Sequence, residues 1–153
     1  VRERITIRKI LIAALPAALL TIGAASASEY GSPAEARAML ERAIAAVKQD
    51  KSAALAMFTT GAGGFKDRDL YPYCGGTDGK FTAHPSLVGK SLVDLKDKAG
   101  KPFRAEIYAV ADEAIMRQVS YVWPRPGENE PVQKAAYVQK IGDQICAVGY
   151  YEK

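Results

Sequence analysis

The chain has 153 residues and a formal net charge of +4, a length that suits one domain with a core of its own. Its charged fraction of 25% and hydrophobic fraction of 48% exclude an intrinsically disordered chain. The charge is unevenly placed: the first 27 residues hold four Lys/Arg and one acid, which leaves the rest at +1 and removes the electrostatic case for nucleic-acid binding.

The opening segment reads as a targeting sequence. Basic "VRERITIRK" is followed by the apolar run "ILIAALPAALLTIGA", too short and too interrupted by Pro and Gly for a membrane span, and then by the small-x-small site "ASA". Residues 1–27 are therefore expected to be a signal peptide, with an uncleaved membrane anchor as the alternative. The expected location is the periplasm. The domain proper is then 28–153. The two cysteines, Cys74 and Cys146, would enter an oxidising compartment, where a disulfide and two buried thiols are both open.

"GSPAEARAMLERAIAAVKQD" starts a long helix: Ser32 is the N-cap, Pro33 the first helical residue and Glu35 the partner in a capping box. Ala36, Leu40, Ala43, Ile44 and Val47 recur at helical spacing and form its apolar face. A second helical piece, "SAALAMF", ends at the glycines of "TTGAGGF". "DLYPYC" reads as a short strand, with Pro72 suggesting an edge or a bulge. Asp78–Gly79 turns the chain into the returning strand "KFTAH". "PSLVGKSLVDLKDKAGKP" is expected to be a loop with short helical turns, and "PFRAEIYAVADEA" a helix begun at Pro102. "MRQVSYVW", "QKAAYVQKI" and "QICAVGYY" follow as three strands joined by "PRPGENEP" and "GD". The order implies an α+β domain: helices packed on one antiparallel sheet that ends in a three-stranded meander.

Catalytic patterns are weak. Cys74 and His84 could be imagined as a nucleophile and base, but nothing in their spacing sets one against the other. A single histidine without CxxC or HxxxH spacing supplies no metal site. The acids Asp67, Asp69, Asp94, Asp97 and Asp112 are scattered, as expected for solvated loops and helix faces. "GAGGF" and "CGGTDG" lack the strand–loop–helix spacing of phosphate-binding loops. No cofactor is expected. A small-molecule pocket is better supported, because Tyr71 and Tyr73 share a strand face, as do Val119, Tyr121 and Trp123. Such aromatics combine apolar bulk with a polar tip, although they can equally fill a core. Lys134 and Tyr137 have opposite parity and meet one pocket only across a bulge. His84 before Pro85 can close a turn or touch a ligand.

The segment from "DLYPYCGGTDGKFTAHPSLVGKSLVDLKDKAGKPFRAEI" to "VSYVWPRPGENEPVQKAAYVQKIGDQICAVGYY" resembles the single Cache domain family, type 2, the extracytoplasmic sensor modules of bacterial chemoreceptors and histidine kinases. The markers are the Tyr strand, the Asp-Gly-Lys turn, His84–Pro85, Gly89–Lys90, the helix start at Gly100–Lys101–Pro102–Phe103, Tyr121-x-Trp123, Lys134 with Tyr137, and Gly149–Tyr150. The resemblance implies a PAS-like domain: a long N-terminal helix on a five- to six-stranded antiparallel sheet. It also implies a pocket for a small ligand, commonly a short carboxylate. Tyr73, His84, Tyr121, Trp123, Lys134 and Tyr137 are the ligand-binding candidates it implies. The expected role is a periplasmic sensor module in signal transduction such as chemotaxis. It would have no enzymatic activity, and a membrane sensor kinase or chemoreceptor would be its partner. A homodimer through the N-terminal helix is a further expectation. The rival readings are a structural or interaction protein without a ligand, and a Cys-dependent enzyme.

Overall fold

The computed structural model describes residues 28–152, so the expected signal peptide lies outside the described residues. Helix α1 (Pro33–Gln49) begins at the capping box. Ser32 Oγ accepts from the Glu35 amide at 3.2 Å, and the Ser32 amide donates to Glu35 Oε2 at 2.7 Å. Asp50, in an extended conformation, ends α1 and caps helix α2 (Lys51–Thr60), its carboxylate accepting from the Ala53 amide at 3.0 Å. One extended residue thus divides two helices that would otherwise run on. Gly61, at φ 77°, stops α2 in the left-handed region that favours glycine.

Strands β1 (Pro72–Gly76), β2 (Phe81–Ala83), β3 (Arg117–Pro124), β4 (Pro131–Ile141) and β5 (Gln144–Tyr151) form one antiparallel sheet of order β2-β1-β5-β4-β3. The last strand therefore sits in the middle, pairing with the first. Pro72 does not mark an edge strand: β1 lies between β2 and β5. It is tolerated as the first strand residue, beyond the reach of three-residue β2, and the register shift falls at Cys74/Gly75. Helix α3 (Phe103–Val110) follows a long connection that carries isolated hydrogen-bonded turns, such as Lys90 N–H to the Leu87 carbonyl, but no helix. Asp97 pins that connection to β3, accepting from the Ala99 and Lys101 amides through Oδ1 and from the Val122 amide through Oδ2.

The sheet separates two cores. On one face, α1 and α2 bury Leu40, Ala43, Phe58, Ala135, Val148 and Tyr150. On the other, α3 and the long connection cover Tyr73, Phe81, Phe103, Ile107, Val119 and Tyr121. Alternate residues of β1 and β5 feed both cores at once, which is why these two central strands are buried at almost every position, whereas β4 is buried mainly over Lys134–Ala136, Val138 and Ile141. Cys74 and Cys146 stand directly opposite each other on β1 and β5, on the α1 face, and are joined in a disulfide.

The bridge closes a 72-residue separation that contains β2, α3, β3 and β4. In the loop-entropy picture it contributes roughly 4 kcal/mol. Urea denaturation of a Cys74→Ser/Cys146→Ser double variant is expected to show a loss of about 2–5 kcal/mol; unchanged stability would mean that β1–β5 pairing holds without it.

Candidate functional site

The α3 face carries an unusual density of buried polar groups. Lys134 on β4 pairs with Tyr121 of β3 on one side and Tyr151 of β5 on the other, so all three project to this face. Its stem crosses β5 over Gly149, where any β-carbon would collide with the lysine side chain. The ammonium ends between two phenols: Nζ donates to Tyr151 Oη at 3.2 Å and to Tyr71 Oη at 3.4 Å, with both rings within 5 Å of the nitrogen. Tyr151 gives its own proton to the Pro124 carbonyl at 2.6 Å, which leaves its oxygen free to accept from the lysine. Lys134 is 1% exposed. Burial, and then the Arg104 charge, pull its pKa down to about 7, against an opposing pull from Asp69.

His84 leaves the end of β2 at the same face. Its Nδ1 accepts from the Ser86 amide at 3.0 Å, so the neutral ring carries its proton on Nε2. The ring is packed among Tyr71, Tyr73 and Phe81. Burial first, then the charges of Arg104 and Lys134, push its pKa down to about 3. His84 therefore both closes a turn and remains neutral at the site. Beneath it, Tyr73 and Tyr121 share a hydroxyl–hydroxyl bond of 3.2 Å, and Phe103 stacks on Tyr121.

Arg104, a residue that strand alternation does not reach, completes the cluster. It is 2% exposed. Its guanidinium lies 4.5–4.6 Å from the ring centroids of Tyr73, Phe81 and Phe103, while Nε and Nη1 have no hydrogen-bond partner among the described residues. Helical spacing could have found it: Phe103, Arg104, Ile107 and Tyr108 occupy one side of α3. A buried guanidinium with idle N–H groups, beside an ammonium, is suited to an anion that brings the missing acceptors.

A cavity of about 300 Å³ opens beside this cluster, lined by Tyr71, His84 and Trp123 and by the basic residues Lys66, Arg68 and Arg125. Lys134, Arg104, Tyr73 and Tyr121 do not line it themselves; Lys134 touches its wall through Tyr71, and the His84 ring packs on Tyr73. Tyr137 is elsewhere. β3 and β4 pair without a bulge between Arg117 and Pro124, so parity sends Tyr137 to the α1 face, where it packs on Tyr150. Asp69 and Asp97 are not solvated as their scatter suggests; both are buried, Asp97 by its three backbone donors. Among the described residues no group of His, Cys, Asp and Glu could hold a metal ion, and no helix is long and apolar enough to cross a membrane.

The family model of the single Cache domain 2 matches residues 17–149. The chain belongs to that family. It is a family of extracytoplasmic sensor domains that act in ligand-sensing signalling, not an enzyme family. A 57-residue segment of this Cache domain is 37% identical to the methyl-accepting chemotaxis protein McpP of Pseudomonas putida, a match covering 37% of this chain and 10% of that much longer protein. A methyl-accepting chemotaxis protein structure from Vibrio parahaemolyticus superposes with a TM-score of 0.61 at 24% identity, covering 77% of this chain and 86% of that one. A Cache chemosensory domain solved to show carboxylic acid recognition gives 0.55 at 22% identity, over 77% of this chain and 86% of that one. These two likenesses carry the α+β, PAS-like fold.

The neutral His84 has a consequence for stability. Unfolded chains protonate histidine near pH 6.5, the folded protein only near pH 3, so the unfolded state binds more protons in between and stability falls as the pH drops from 6.5. Between pH 7 and pH 4.5 the wild type is expected to lose about 2 kcal/mol more than His84→Gln in urea denaturation. Equal losses in the two proteins would show that the folded state admits the charged ring.

Proposed function

We propose that this Cache domain is a periplasmic sensor module that binds a short carboxylate in the cavity beside Lys134, and that it has no catalytic activity of its own. The observation that carries the reading is the pair of buried cations, Lys134 and Arg104, with idle N–H groups on Arg104 and no buried anion hydrogen-bonded to either. A carboxylate entering a site shielded from water must regain its lost hydration as charge-assisted hydrogen bonds. Lys134, the Tyr71 hydroxyl, the His84 Nε2–H and the free Arg104 N–H groups are the donors proposed for it, with Trp123 as an apolar wall. Tyr73 and Tyr121 are assigned the supporting layer beneath, and Tyr137 is left out of the site. The carboxylic acid recognition described for a fold relative supports the same ligand class.

The ligand's size sets the affinity. Acetate has few heavy atoms, and at roughly −1.5 kcal/mol each the ceiling is about −6 kcal/mol, on the order of tens of micromolar. Export by the segment 1–27 would place the domain where external metabolites are sampled. A membrane chemoreceptor or sensor kinase is the proposed partner, and the exposed side of α1 the proposed self-association surface.

Titration calorimetry with acetate, propionate and pyruvate tests the site through its pH dependence. An anion selects the protonated lysine, whose pKa before binding is about 7. Affinity should therefore fall close to tenfold per pH unit above about pH 7.5, until the raised pKa of the complex is passed. A flat profile would remove Lys134 from the contact. Lys134→Met should abolish binding and yet raise the stability of the unliganded protein at pH 7 by on the order of 1 kcal/mol or more, because a desolvated amine is replaced by an apolar chain of similar length. Lost binding together with lost stability would mark the lysine as structural.

A further inference from the structure

Asp69 has no role in holding a carboxylate, and the fold alone does not use it fully. It is 5% exposed. Oδ1 accepts from the Gly31 amide at 2.7 Å, whereas Oδ2 has no hydrogen-bond partner among the described residues. An asparagine would serve Gly31 equally well without burying a charge. A desolvated carboxylate oxygen left without a donor is costly, and persists in a fold only where something else satisfies it.

Its position says what that is. Asp69 lines a cavity of about 260 Å³ with Glu29, Tyr30 and Glu128. This cavity shares Arg68, Arg125, Pro126 and Glu128 with the one walled by His84 and Trp123, so the two are lobes of one cleft. The lobes differ in charge. The first is lined by Lys66 and has Lys134 touching its wall through Tyr71; the second adds Glu29 and Asp69. Neither shared arginine neutralises Asp69. Arg68 is engaged with Glu35 and Asp67, at 2.6 and 2.8 Å, and with the Ser28 and Tyr30 carbonyls. Arg125 is stacked between the Tyr30 and Tyr151 rings.

We propose that Asp69 is the receptor for a ligand ammonium group. The ligand class is then a small molecule with a carboxylate at one end and a protonated primary amine at the other. This rests on the carboxylate reading of the Lys134 lobe and adds the cationic end to it. An ammonium supplies the N–H donor that Oδ2 lacks, in a charge-assisted hydrogen bond inside a site where such bonds are strong. An analogue without the amine leaves that oxygen unpaired, so the site discriminates between molecules of nearly equal size.

The test is titration calorimetry of the full chain with matched pairs: propionate against β-alanine, and butyrate against 4-aminobutyrate. The amino member of at least one pair is expected to bind about tenfold or more tighter than its partner, as a charge-assisted hydrogen bond in a desolvated site allows. Asp69→Asn, which keeps the acceptor for Gly31, should bring that ratio to about one. A second measurement needs no variant: the N-trimethylated form of the same amino acid keeps the charge but has no N–H, and should lose the advantage. Carboxylates that bind while their amino partners bind no tighter would overturn the ammonium subsite and leave the carboxylate reading standing. Binding by neither member of any pair would overturn both. An advantage that survives Asp69→Asn, or is kept by the trimethylated form, would overturn the assignment to Asp69.

Discussion

The structure turns on a lysine amine held inside the protein. Lys134 reaches from β4 across β5, and the face around it is shaped by the cost of keeping an ammonium away from water. Gly149 clears the path of the stem, since a β-carbon there would occupy it. Tyr151 is oriented as an acceptor by donating its proton to Pro124, and Tyr71 closes the other side. What remains is an amine poised to change charge near neutral pH, on the same face as a histidine kept neutral by burial first and then by the charges of Arg104 and Lys134. Arg104, held among three aromatic rings, adds a second buried cation to this face.

Such a face is expensive to fold, and the opposite face offsets it. The α1 side is built from small, aliphatic and aromatic residues interlocked with two helices, and it also contains the disulfide. Both faces have a buried apolar core, but the buried cations Lys134 and Arg104 lie on one of them only. The central strands β5 and β1 join the two, because their alternate residues belong to different cores.

Much of this was legible in the residues. Ser32, Pro33 and Glu35 specify the start of α1 through bonds that span three positions, and Asp78–Gly79 specifies the hairpin through the positive φ of Gly79. Period-two alternation puts Tyr71 with Tyr73, and Tyr121 with Trp123, on shared strand faces. The same rule, applied without a bulge, separates Tyr137 from Lys134, so for that residue parity outweighs the family resemblance. Asp69 and Tyr151 were not legible as candidates, and Arg104 only through its place on the buried side of α3. An arginine in an amphipathic helix, an aspartate in a loop and a tyrosine in a terminal strand have ordinary solvated or core roles, and composition does not separate those roles from this one.

The sequence by itself determined the elements, their order, their caps and turns, the faces of the strands and the family, because each depends on contacts within a few residues or on a pattern carried along one strand. Tertiary structure alone decided which charges meet. The Lys134–Tyr71 contact joins residues 63 positions apart, and Asp69 and Gly31 are 38 apart. Whether a lysine is a solvated surface charge or a buried amine with a pKa near 7 depends on what covers it. Here the ammonium is enclosed by Tyr71, just before β1, and Tyr151 of β5, residues whose juxtaposition no local pattern encodes.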